Sequence, residues 1–114
     1  MAITVANVIT KTRKYLADAQ EERTWDDTAD FIPSVNRAQR KVKRERPDLM
    51  MADDGTLTAY ADATAVGDTL IWDDDQLEAL AHYTAFDLLL DDTVNRSNRE
   101  EAATRLQLFE SEIS

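Results

Sequence analysis

Between Trp25 and Leu49 the apolar positions Phe31, Val35, Ala38 and Val42 recur at spacings of four, three and four, which keeps them on one face of a 3.6-residue helix. On the same wheel Arg37, Arg40, Lys41 and Arg44 fall within about 100° of one another, roughly opposite the apolar stripe. The pattern predicts a helix over 27–46 with a core face and a cationic back. Asp26, Asp27 and Asp30 crowd its start and Arg44 and Arg46 its end, the order that favours the helix macrodipole, and Pro47 stops it.

Three further helices follow from the same reading. Val5, Val8, Ile9, Tyr15 and Leu16 lie on one side of a helix over 5–19, with Thr4 as its N-cap. Trp25, after a charged link, reads as an anchor seating the second helix on the first. A third helix over 74–91 starts at Trp72-Asp73-Asp74-Asp75-Gln76-Leu77. There Asp73 is the N-cap, Gln76 its capping-box partner, and Trp72 and Leu77 a hydrophobic staple. Tyr83, Phe86, Leu89 and Leu90 widen its apolar surface beyond one stripe, as expected of a central helix buried on several sides. The fourth helix, over 98–113, opens on the capping box Ser97-Asn98-Arg99-Glu100 and carries Ala102, Ala103, Leu106, Phe109 and Ile113 on one stripe, leaving Leu108 exposed. Helical spacing vanishes over residues 50–72. Turn signals at Asp53-Asp54-Gly55 and Val66-Gly67-Asp68 flank runs at Thr56–Tyr60 and Thr69–Trp72 that predict a short β-hairpin or an extended loop. The expected fold is one mostly α, four-helix-bundle-like domain spanning residues 1–114.

Composition agrees with that fold. The chain has 114 residues, 43% hydrophobic and 32% charged, with two Gly, two Pro and no Cys. A helical protein without disulfides or thiolate sites is implied. No apolar run reaches the roughly 20 residues needed to cross a bilayer, and the N-terminus has its basic residues after its apolar ones, so a cytoplasmic product is expected. The net charge of −10 is unevenly spread. Residues 37–46 hold six Lys or Arg and one Glu, so this stretch carries +5 and the remainder −15. Such a body suits docking onto acidic protein surfaces, or onto its own copies, better than general phosphate binding.

Candidate chemistry is sparse. The single histidine, His82, has only Glu78 on its helical face, short of a zinc site, and reads as a helix-surface or interface residue. Adjacent carboxylates such as Asp73-Asp74-Asp75 point apart and serve as caps and solvated charge. Asp53-Asp54-Gly55-Thr56 lacks the ligand series of an EF-hand, and neither a glycine-rich phosphate cradle nor a nucleophile motif occurs. The expectation is a non-enzyme with no cofactor and no metal.

Trp25-Asp26-Asp27, then Asn36-Arg37-Ala38-Gln39-Arg40, then Arg46-Pro47-Asp48 follow one another on the second helix. In that order they resemble the second helix of bacteriophage head-tail connector (adaptor, or head-completion) proteins. The aromatic-rich third helix ending in acidic residues, and the closing helix with Ala-x-x-Leu-x-x-Phe character, extend the resemblance over nearly the whole chain. It implies a structural virion protein forming a ring, generally dodecameric, at the phage neck. Such a ring joins the portal protein to tail or neck proteins and encloses DNA without sequence-specific binding. The expected location is the virion neck, after assembly in the host cytoplasm, with no membrane partner. Within it Arg37, Arg40, Lys41 and Arg44 are expected to face a neighbouring subunit or the portal, with acidic residues along the bore. Phe109 and Ile113 belong to the closing segment, Phe109 to Ser114, which in such proteins often extends as a docking arm and on the sequence alone could equally fray. The alternative is a small cytoplasmic DNA-binding or regulatory helical protein that sets the 37–46 cluster on phosphates.

Overall fold

Asp26 leads into the second helix, its carboxylate accepting from the backbone N–H of Thr28 (3.0 Å) and Ala29 (2.6 Å). The computed structural model describes residues 2–17, 26–51, 55–56, 58–91 and 96–113. After Asp26 comes one π-helical turn, Asp27–Phe31, in which the Phe31 N–H reaches the Asp26 carbonyl, and then the helix α2, Ile32–Glu45. Pro33 explains the widened turn. It brings no N–H for the carbonyl four residues back, and its ring crowds that carbonyl. Trp25 lies outside the described residues.

The element order is β1 (Ala2–Thr4), α1 (Val5–Ala17), α2, a 3-10 turn at Pro47–Met50, β2 (Thr69–Asp73), a 3-10 turn at Asp74–Gln76, α3 (Leu77–Asp91) and α4 (Arg96–Ile113). Four α-helices therefore form among the described residues, and the mostly helical fold expected above is present. Helix α3 packs against α1, α2 and α4 and is the centre of the molecule. Leu80, Ala81, Thr84, Ala85, Leu88 and Leu89 are all buried, and the small ones let the neighbouring helices approach. Phe31, Val35, Ala38 and Val42 form the buried stripe of α2 as their spacing predicted.

Two of the three capped helix starts read from sequence carry their caps. Thr4 and Asn7 exchange side-chain and backbone bonds, Thr4 N–H to Asn7 Oδ1 at 2.9 Å and Asn7 N–H to Thr4 Oγ1 at 3.3 Å. Asp73 and Gln76 do the same at the start of the third helical segment, with Asp73 N–H to Gln76 Oε1 at 3.0 Å. The Ser97 to Glu100 box lies where side chains are not described. Helix α4 nevertheless begins at Arg96, two residues before the expected 98.

Of the β-hairpin and the extended loop expected over 50–72, the described residues form the loop, and its one strand pairs elsewhere. Strand β2 pairs antiparallel with the N-terminal β1, Ala2 opposite Asp73 and Thr4 opposite Thr69, with an irregularity between the two pairs. Residues 58–64 carry no regular secondary structure, and the turn at Val66-Gly67 closes with Asp68 N–H bonding to the Ala65 carbonyl at 3.1 Å. Asn36 supplies the physical reason. Its side-chain amide takes both backbone groups of Ala63, donating to the carbonyl at 2.9 Å and accepting from the N–H at 2.8 Å, so the segment between the two expected runs is bound to α2. The far end of the loop caps α1, where the N–H groups of Val5 and Ala6 donate to the Asp68 and Val66 carbonyls at 3.1 and 3.0 Å. The N-terminal strand and helix are thereby joined to one loop.

The closing segment follows the helical stripe and not the arm. Helix α4 runs to Ile113, and Phe109 and Ile113 are core residues, not an extended arm. Phe109 packs edge-on against Tyr83 with ring centroids 5.0 Å apart, and a helix that buries both residues gains more than an arm that exposes them. Leu108, off the stripe, is 39% exposed as expected.

Candidate interaction surface on the second helix

Helix α2 places residues of the Asn36–Arg40 element on two sides of the molecule. On the inner side Asn36 holds Ala63, Gln39 donates to Asn36 Oδ1 at 2.9 Å, and the indole N–H of Trp72 donates to Gln39 Oε1 at 3.0 Å. This chain of neutral amides is buried, and each link meets a buried polar group that would otherwise cost free energy. Ser34 extends the seam to α3, its hydroxyl 2.8 Å from Asp87 Oδ2 and 3.3 Å from the Thr84 carbonyl.

On the outer side stand the four expected site residues of α2. Arg37, Arg40 and Arg44 are exposed and Lys41 half-buried, so the cationic back does face outward. Three of them are paired within the chain. Arg37 Nε lies 3.0 Å from both oxygens of Asp87, Arg40 grips Asp62 through Nε and Nη2, and Lys41 meets Glu45 at 3.0 Å one turn on. The Tyr60 hydroxyl also donates to Asp62, while Lys43 lies 5.2 Å from the centre of the Tyr60 ring. Arg40 and Tyr60 hold the Asp62 carboxyl below its ordinary pKa, and burial followed by Asp62 pushes the Tyr60 phenol up. No protein-family model, curated protein or solved structure matches the chain.

The Arg46-Pro47-Asp48 element is a clamp. Arg46 binds Asp48 through Nε at 3.0 Å and Nη2 at 2.9 Å, while Nη1 donates to the carbonyl of Ile113 at the end of α4. That donor satisfies one of the carbonyls a helix C-terminus leaves open. Arg46 therefore joins the end of α2 to the end of α4.

Two grooves adjoin the ridge. One, of about 230 Å³, is lined by Arg37, Arg40, Lys41, Arg44 and Tyr83. The other, of about 280 Å³, is lined by Lys41, Glu45, Arg46, Phe109, Glu110 and Ile113. All six expected site residues thus border one or the other, with Phe109 and Ile113 as buried floor and not as projecting contacts. The periodicity of α2 already showed its cationic side. The carboxylates that partner Arg40 and Arg37 sit 22 and 50 residues away and carry no local signal, whereas Glu45, one turn from Lys41, does.

His82 is corrected from surface to interior. Its ring stacks on Tyr15 with centroids 4.5 Å apart and planes within 3°, and the residue is 7% exposed. Arg105 of α4 lies over the Tyr15 ring at 4.5 Å and brings Nη1 to 3.4 Å from His82 Nδ1. Burial, then Arg105, lowers the His82 pKa against the opposing pull of Glu78, which also pairs with Lys11 at 3.7 Å. The cluster joins α1, α3 and α4. Among the described residues, groups of three or more His, Cys, Asp or Glu placed to hold a metal do not occur, and helices long and apolar enough to cross a membrane do not occur either.

Proposed function

We propose that this chain is a structural subunit of a phage neck, forming a ring against the portal, meeting tail or neck proteins on its other side and continuing the DNA channel. The observation that carries the reading is the division of α2. One side locks the loop and Trp72 to the bundle, and the other offers Arg40, Lys41 and Arg44 on a body that is otherwise acidic. A ring subunit needs two unlike surfaces that meet head to tail, and cationic and acidic surfaces on one rigid protomer make such a pair. A channel through which DNA slides is served by surplus carboxylate, which repels the phosphate backbone. The order of the three motif elements along the sequence supports the same family.

The phosphate-binding alternative fits the geometry less well. The body around the ridge is acidic, and a long polyanionic duplex laid on the ridge would meet that surplus carboxylate. Native mass spectrometry of the chain with the portal protein of the same phage tests the proposal. The expected product is a portal ring carrying a full set of copies of this chain. Absence of association, or electron microscopy placing the chain elsewhere in the particle, would overturn it.

A further inference from the structure

The two grooves beside α2 are parts of one trough. Lys41 lines both, and the Tyr83 ring at the floor of the first touches the Phe109 ring at the floor of the second, centroid to centroid at 5.0 Å. One half of the trough has a rim of four cations over an aromatic floor, whereas the other half carries Glu45 and Glu110. We infer that the Arg37–Arg44 half binds an acidic peptide segment of a partner protein, with carboxylates on the arginines and an apolar side chain over Tyr83. This rests on the neck-subunit reading and names the chemistry of the surface that would meet this ridge.

Charge complementarity selects the occupant. In a chain of net charge −10 this trough gathers four cations around a single cavity whose lining on that side holds no carboxylate; Arg37, Arg40 and Lys41 share their charge with Asp87, Asp62 and Glu45, and Arg44 adds the cation those pairs leave uncompensated. The ion pairs behind the rim assist. Asp62 holds Arg40 by Nε and Nη2, so less side-chain freedom of Arg40 is lost on binding. Arg44 stands beside it as a second donor on the same rim. A planar fork matches a carboxylate better than an ammonium would, and an aromatic floor favours a peptide that mixes acidic with apolar residues over a polyanion without them.

The test uses the full chain and a fluorescein-labelled peptide of alternating Glu-Glu-Phe and Glu-Glu-Leu units, followed by anisotropy at low and high salt. Saturable binding is expected, lost when Gln replaces Glu in the peptide and weakened about tenfold or more by Arg44→Glu. Arg44→Gln should fall between. Unchanged melting of both variants shows that the fold is intact. Binding that ignores Arg44→Glu, or tighter binding of a short DNA duplex than of the peptide, would overturn the inference. So would an Arg44→Glu variant whose only defect is self-association in sedimentation, which would make a second copy the occupant. Peptide binding without portal association would sink the neck-subunit reading alone, and portal association that survives Arg44→Glu would sink the trough alone.

Discussion

Two polar seams cross the core, and they differ in whether they can titrate. The α2 seam consists of Asn36, Gln39 and Trp72, neutral groups with partners between 2.8 and 3.0 Å. The α1–α3–α4 seam consists of Tyr15, His82 and Arg105, with Glu78 and Lys11 at its edge. Amides keep the same donors and acceptors at every ordinary pH, so the first seam fixes the loop and the N-terminal ribbon regardless of conditions. Imidazole does not, because protonation of His82 would place a second cation beside the Arg105 guanidinium. One side of the bundle is thus fixed by geometry and the other by a protonation state.

Breaking the first seam should have the largest effect. Asn36→Ala leaves the Ala63 N–H and carbonyl and the Gln39 amide without their partner in a buried site, at a cost of about 2–4 kcal/mol. Urea denaturation should show that loss with the same size at pH 6 and pH 8. Asn36→Asp sharpens the point. It keeps an acceptor for the Ala63 N–H but faces the Ala63 carbonyl with an acid whose pKa burial raises. A group with a raised folded pKa contributes most below its unfolded value, so the deficit of this variant against the parent should grow as pH rises, unlike the pH-independent loss of Asn36→Ala. A flat deficit for Asn36→Asp would mean that the site is open to water.

What the sequence revealed differs between the seams for a physical reason. Helix spacing exposes which residues share a face, so the stripe of α2, its cationic back and the capping residues Thr4, Asp73 and Gln76 were all readable in advance. Periodicity says nothing about the partner of a polar residue on a core face. Asn36 therefore looked like a helix residue, and only the fold shows that it replaces a strand partner for Ala63. The same limit hid β1, whose three residues are too few to alternate visibly and whose partner lies about 70 residues on. His82 was misplaced because a polar residue was assigned to the surface. A signal was present in α3 itself, since a helix apolar on several sides has neighbours on several sides, and a histidine on it meets one of them.

The second seam should respond to acid. Burial and Arg105 hold the folded His82 pKa below its ordinary value, so the unfolded chain binds this proton more readily than the folded one. Its contribution is complete above the unfolded pKa of about 6.5 and declines as pH falls through and below it. His82→Phe keeps a ring to stack on Tyr15 and removes the titration. Urea midpoints measured from pH 7.5 to pH 5 should fall for the parent and stay level for this variant. An equal slope in both would assign the acid response to the carboxylates that are held charged, among them Asp68, which the backbone N–H groups of Thr64 and Ala65 keep below the usual carboxylate range.

The smallest effect belongs to the ridge outside both seams. Lys41 and Glu45 pair across one turn of α2 at 3.0 Å with both side chains partly in water, where such pairs contribute about 0.3–0.5 kcal/mol and weaken with salt. Lys41→Ala should lower stability by no more than that, and the difference should shrink at high ionic strength. A loss of more than about 1 kcal/mol would show that the Lys41 stem is part of the packing over Phe109, since removal of an exposed charge alone does not cost as much. With the small loss, Lys41 and Arg44 stand on a surface that stability does not require. A lysine and an arginine kept on an otherwise acidic body without a folding role are available for recognition, which separates the ridge from the amide seam on the opposite side of the same helix.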